Sequence, residues 1–517
     1  MSKKIVTFIL VFSLLLSIAT STTVLGANFT NPLIWADVPD VDVLRVGNNY
    51  YMSSTTMHMN PGVPIMKSSN LVDWKIVNYV YDTLESGDKQ TLKNGQNEYG
   101  KGSWASSLRY NNGTYYVAFC SNSSGKTYIY QTKNIETGPW TRSTLNGVYH
   151  DLSLFFDNGR AFLVYGSGDI SIIELTSDAT AIKAGGLKKT IIPNASQVAG
   201  SSMIVKAEGS HIYKVNGQYY IFNILWPSGG GRTQICHRAS AIDGKYEGKV
   251  VLNDSGIAQG GIVDTPNGEW YSMLFKDSGS VGRIPYLVPV KWSNNWPVFG
   301  VNGKVPQSMT VPGGASRSSS LFVASDEFTS SGKLPLVWQW NHNPDNNNWS
   351  LTKRSGFLRL TTGTKATNIL DARNTLTQRT FGPVCSGSVA VETDSMKDGD
   401  YAGLAAFQQN YGFVGVKMTG TSKSIVMVNG SSGSAKEIAK VSVTQKRVYF
   451  KVKCDFTNKT DKAYFYYSLN GATWTAIGNT LQMSYTMPHF MGYRFALFNF
   501  ATKTIGGFVD FDYFRIE

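Results

Sequence analysis

Five short segments repeat one pattern, a glycine-bearing turn followed at once by aromatic and β-branched residues. They begin at Gly47, Gly113, Gly159, Gly217 and Gly268 and read GNNYYM, GTYYV, GRAFLVY, GQYYIF and GEWYSM. An asparagine stands directly before or after each glycine: Asn48, Asn112, Asn158, Asn216 and Asn267. Such pairs tolerate the positive φ of a tight hairpin, and the run behind them suits a strand. Successive glycines lie about 45–65 residues apart, the scale of one four-stranded propeller blade. Several units end alike on a tryptophan, at Trp74, Trp140 and Trp296. A β-sandwich with long loops makes similar hairpins, but the count and spacing predict a five-bladed β-propeller over residues 27–305.

After Gly300 the rhythm breaks. Pro306, Pro312, two glycines and the serine-rich run from Ser316 to Ser320 predict a linker over 306–321. A second series of alternating strands follows, such as Arg447 to Lys453, and predicts a β-sandwich over 322–517. The composition agrees with an all-β chain: 27 Tyr, 26 Phe and 12 Trp among 51 Gly.

Residues 1–26 read as a signal peptide, with Lys3 and Lys4 before a short apolar stretch from Ile5 to Ile18 and small residues up to Gly26 and Ala27. The expectation is an exported protein that is free of the membrane once the leader is cleaved. The net charge is +13, yet the basic residues are scattered and form no basic run, which argues against nucleic acid as a partner. Four cysteines are too few for a disulfide scaffold of this length. Cys120 and Cys236 fall in apolar strand patterns that bury free thiols, while Cys385 and Cys454 stand open as a pair within the second domain.

Loops and strand ends at one face of a propeller converge on its axis, so residues remote in sequence can share a site. Asp40, Asp151 and Glu208 occupy similar places, each just ahead of its blade's hairpin repeat. One such acid alone caps turn amides. Three at matched positions, with aromatics nearby, point to a carboxylate site.

The motifs around these acids resemble glycoside hydrolase family 43, the β-xylosidases and α-L-arabinofuranosidases. They are the run Pro39 to Arg45 followed by Tyr50 to Thr56, Trp104 to Arg109, Asp151 to Leu154, Glu208 to Tyr213 and Gln259 to Asp264. The tail resembles the concanavalin-A-like sandwich of two-domain members through Trp338 to Asn343 and Ala372 to Asn374. The resemblance implies Asp40 as general base, Glu208 as general acid and Asp151 as the residue that orients the acid and raises its pKa by like-charge repulsion. It implies inversion at the anomeric carbon, and His58, Trp104 and Arg283 as sugar contacts. The expected substrate is plant cell-wall polysaccharide or oligosaccharide bearing a terminal pentose, with arabinofuranosyl and xylosyl both open. The alternative is a carbohydrate-binding propeller without catalysis.

Two departures matter. Val41 replaces the family's usual proline after the base, and Asp37 offers a rival frame for it. Ala258 stands where many members carry a histidine that helps hold a central metal or water. The reaction itself requires no cofactor. Two readings stand open for the sandwich's ends, where Asp326 or Glu327 of the first strand would meet Asp510 and Asp512 of the last: a structural calcium with Glu327 and Asp512 among its ligands, or edge-strand charges that discourage aggregation and need no metal.

Overall fold

A computed structural model describes residues 27–311, 322–330, 332–431 and 434–517. The expected leader over 1–26 and residues 312–321 of the expected linker lie outside the described residues.

The hairpin repeat becomes five antiparallel sheets around one axis. Blade I spans Asp42–Val46 to Lys75–Tyr81, blade II Ser107–Asn111 to Thr141–Asn146, and blade III Ser153–Asp157 to Lys188–Ile192. Blade IV runs from Met203–Val215 to Glu247–Leu252 and blade V from Ile257–Ala258 to Trp296–Phe299. In blades II, III and IV both turn residues are left-handed, as at Asn158 (φ 49°) and Gly159 (φ 73°), and the pairing closes directly around them. That is the two-residue turn whose twist matches paired strands.

Residues 308–311, expected as linker, form a strand. Ser308–Val311 pairs antiparallel with Ala27–Thr30, so the end of the propeller region is tied to its beginning. Asn31 reinforces the tie by bonding Leu287 N and O and Pro306 O.

The second domain is a sandwich of two antiparallel sheets. Its core gathers Val414, Phe450, Phe465, Phe495, Leu497, Phe511 and Phe514, all essentially inaccessible. Cys385 and Cys454 lie directly opposite on neighbouring strands as buried free thiols. The other sheet is continued by the propeller itself: Met59–Asn60, between two strands of blade I, pairs with Gln339–Asn341 at its edge. Backbone pairing across the seam removes an open sheet edge and joins the domains by hydrogen bonds as well as apolar contact.

Trp338 and Trp340 of the tail motif take different places. Trp338 is turned into the sandwich's own core, against Phe328 and Phe514, with its indole N–H donated to Asp326. Trp340 sits on the seam strand while its ring packs on Trp349.

The acids expected to bind calcium each have another partner. Glu327 is taken by Arg515, Asp510 by Arg359 and Asp512 by Arg447, while Asp326 accepts from Phe328 N and Trp338. Asp326 does meet the last strand, bridging Phe514. Arginine forks nevertheless occupy the carboxylates that a cation needs. Among the described residues of the sandwich no three such ligands approach closely enough to share one.

Candidate active site

The innermost strand of each blade lines the axis. Asp40 and Asp151 each precede theirs by two residues, and both adopt left-handed backbone, at φ 51° and 48°. Such conformations are uncommon outside glycine and cluster where structure over-determines them. Glu208 reaches the same mouth differently. It lies inside Met203–Val215, where the register against Gln218–Pro227 slips on both sides of it. Gly209 beside it has φ 64°, and a Cβ there would come within 3.0 Å of the Gln259 side chain. A bulge with an obligatory glycine thus aims the glutamate.

A buried network one layer below holds these entrances. Asp42 accepts from Leu108 N (2.8 Å), Arg109 Nη1 (2.6 Å) and His211 Nδ1 (3.2 Å). Arg109 donates onward to Ser153 Oγ at 2.7 Å, so blades I to IV are tied at the axis. Burial opposes the Asp42 charge, but Arg109 and His211 outweigh it and hold the carboxyl at about 2. This network occupies the axis of a chain with Ala258 in the usual histidine position. The opposite mouth opens into a cavity of about 330 Å³. There Asp264 is already paired with Arg45.

In the mouth itself, Asp40 Oδ1 accepts from Arg283 Nη1 at 2.7 Å, both side chains nearly buried. Glu208 Oε2 lies 3.1 Å from His150 Nε2 and 3.2 Å from Ser167 Oγ. His150 Nε2 is also 3.8 Å from Asp151. Burial raises the Asp151 carboxyl well above the ordinary range, and Glu208 and Asp40 push it further against the pull of His150 and Arg283. Burial disfavours a charged His150, yet Asp151, Glu208 and Asp40 bring it up to about 9.

The sandwich supplies one wall. Phe490 lies under the Arg283 guanidinium, 4.6 Å from its ring centre, and 5.9 Å from the Trp104 ring. Trp104 is half-buried, edge-on to His150 at 5.4 Å. The rival frame resolves in space: Asp37 accepts from Arg283 N (2.8 Å) and Gly492 N (3.0 Å), joining propeller to sandwich, while Asp40 faces the other acids.

Of the six residues expected in the pocket, Asp40, Asp151, Glu208, Trp104 and Arg283 meet there. His58 does not. It is wholly buried in the domain seam against Tyr99, His342 and His489, at ring distances of 4.7, 5.0 and 4.9 Å. Its Nδ1 accepts from Gly100 N, leaving no face for a sugar. Sequence reasoning passed over His150, whose place beside Asp151 was a usable signal. It had no signal for Phe490, which reaches the propeller only because the domains dock.

A propeller with three acids at one axial mouth, flanked by arginine, imidazole and aromatic rings, has the makings of a carbohydrate-cleaving site. Residues 29–297 match the Glycosyl hydrolases family 43 model, and 325–517 the beta xylosidase C-terminal concanavalin A-like domain. The chain belongs to glycoside hydrolase family 43 and is a glycosidase.

Its structure is similar to that of the bifunctional GH43-CE protein of Bacteroides eggerthii, at 57% identity and a TM-score of 0.92. That match covers 95% of this chain and 64% of the other, so this chain spans under two thirds of that protein. A GH43 enzyme engineered to display both endo-xylanase and exo-arabinofuranosidase activity is 30% identical, with a TM-score of 0.85 over 95% of this chain and 99% of its own. A putative beta-xylosidase of Xylanibacter ruminicola is 32% identical over 86% of this chain and 82% of its own.

Proposed function

We propose that the chain is an exported, exo-acting, inverting glycosidase that releases terminal α-L-arabinofuranosyl or β-D-xylosyl residues from hemicellulose such as arabinoxylan or its oligosaccharides. The observation that carries this reading is the meeting of Asp40, Asp151 and Glu208 at one mouth with Arg283 on the first and His150 on the last. The putative beta-xylosidase named above, and the engineered enzyme that displays both endo-xylanase and exo-arabinofuranosidase activity, support the pentose. The charged leader at Lys3 and Lys4 with its apolar stretch supports export.

In this mechanism Asp40, oriented by the Arg283 Nη1 hydrogen bond to its Oδ1, takes a proton from the attacking water. Glu208 donates a proton to the leaving oxygen as the glycosidic bond breaks. Asp151 keeps the donor in place, and the Trp104 and Phe490 rings offer apolar faces to the sugar's C–H groups. The wall that Phe490 builds across one side favours a chain end over a chain middle.

The test is the monosaccharide released from arabinoxylan and from linear xylan, with the anomer followed by NMR in the first minutes. Free arabinose or xylose of inverted configuration is expected. Glu208→Gln should lower turnover on poor leaving groups by about 10²–10⁴-fold. Retained configuration, or binding without cleavage, refutes the reading.

A further inference from the structure

We propose that His150 is the proton reservoir of Glu208, a positioning residue that fixes the glutamate carboxyl and resupplies the proton it gives up. The inference rests on the reading of Glu208 as donor.

Geometry comes first. His150 Nε2 stands 3.1 Å from Glu208 Oε2, and the main chain that carries the imidazole is fixed as well. Its carbonyl accepts from Gly166 N at 3.0 Å, and that of Asp151 accepts from Ser210 N at 3.1 Å, beside Glu208. The Trp104 ring braces it edge-on. The side chain keeps 29% of its surface exposed, so Nε2 bonds the acid while the ring still reaches water.

Charge comes second. The groups facing His150 are Glu208, Asp151 and Asp40, all acidic. Arg283 is the guanidinium of this mouth, and it is committed to Asp40. Three carboxyls against one cation leave room for a further proton, and the imidazole is the base placed to carry it. Its pKa, raised to about 9 by those acids, keeps the ring protonated across the neutral range.

The step balances. The Glu208 O–H bond breaks as its proton passes to the leaving oxygen and the glycosidic C–O bond opens. The His150 Nε2–H bond then breaks, the Glu208 O–H bond re-forms, and the imidazolium becomes neutral. Asp40 gives up the proton it took from water, and His150 takes one from solvent through its exposed edge.

The experiment compares His150→Asn and His150→Gln with the unaltered protein, on a methyl pentoside and on a dinitrophenyl pentoside that leaves without protonation. Loss of about tenfold or more is expected on the methyl substrate, with little change on the activated one. The alkaline limb of kcat/KM should move to lower pH by about one unit, because the proton is then held by carboxyls alone. Glutamine keeps a hydrogen-bond donor but stores no proton, so it should restore KM and not the limb. Added imidazole should restore turnover in His150→Ala.

An alkaline limb that stays put or moves to higher pH overturns the proposal, since removing a merely cationic neighbour has that opposite sign. Equal losses on both substrates also overturn it. Glu208→Gln run in parallel separates the failures: if that variant is inactive on the methyl substrate while the His150 limb is unchanged, only the reservoir falls. If it is fully active, the donor reading falls and the reservoir with it.

Discussion

His150 is partly buried and His489 wholly so, yet one is pushed up to about 9 and the other down to about 3. Desolvation acts on both in the same direction. The difference lies in what faces them: Asp151 and Glu208 turn their charges on His150, whereas His489 meets Tyr99, Phe407, His58 and the Arg494 cation. His342 in the same seam is likewise lowered to about 3, and His58 falls well below its usual range. The catalytic mouth therefore stores protons while the domain seam excludes them. Carboxylate partners, more than depth, decide the role of a buried imidazole.

The largest effect is expected at the mouth. Asp40→Asn should reduce kcat by about 10²–10⁴-fold, because the amide cannot accept the proton of water. Near-normal turnover would remove Asp40 from the chemistry.

The seam comes next. A chain ending at Val311 loses the partner of Met59–Asn60, the Asp37 contact to Gly492 and the Phe490 wall. It should be poorly soluble or melt well below the full chain. An isolated propeller with full activity and unchanged melting would show that the seam is dispensable.

Acid sharpens the contrast further. The seam imidazoles are neutral in the fold and their pKa values lie below those of the unfolded chain. Below pH about 6.5 the unfolded chain takes up protons that the fold refuses, so stability present above that pH is lost progressively toward about pH 3. His489→Phe should flatten this loss in denaturant titrations, and an unaltered pH slope would contradict the seam's role. His150 has the reverse sign. Its raised pKa contributes stability that is full below about 6.5 and disappears as pH rises through about 9.

Smaller effects follow. Phe490→Ala should raise KM about fivefold by removing one apolar wall, leaving the pH limbs in place. A moved limb would mean that Phe490 sets the charge balance as well. Glu327→Gln breaks an exposed pair with Arg515 and should cost less than about 1 kcal/mol. Exhaustive chelation should leave the melting temperature where it was, and a drop restored by calcium would reverse the reading of those acids as arginine partners.

Local chemistry was legible in the amino-acid order. The Asn–Gly turns announced the blades because positive φ and pleated aromatic runs are properties of neighbouring residues. Asp40, Asp151 and Glu208 stood out because the repeat numbers equivalent positions. The same logic failed for His58, whose motif beside Tyr50–Thr56 looked like pocket wall and is seam. It also failed for Ser308–Val311, where proline and glycine nearby masked a strand made by a partner at the far end of the domain.

What the chain order determined, then, was the period, the strand content and the three acids, readable by comparing one blade's local pattern with the next. What only the tertiary structure decided was which histidine faces carboxylates, that Asp37 joins domains while Asp40 faces the site, and that Phe490 closes the pocket. The reason is physical. A pKa, a paired charge or a covered face depends on the atoms within a few ångströms, and here those atoms come from blades and a second domain that the sequence keeps far apart.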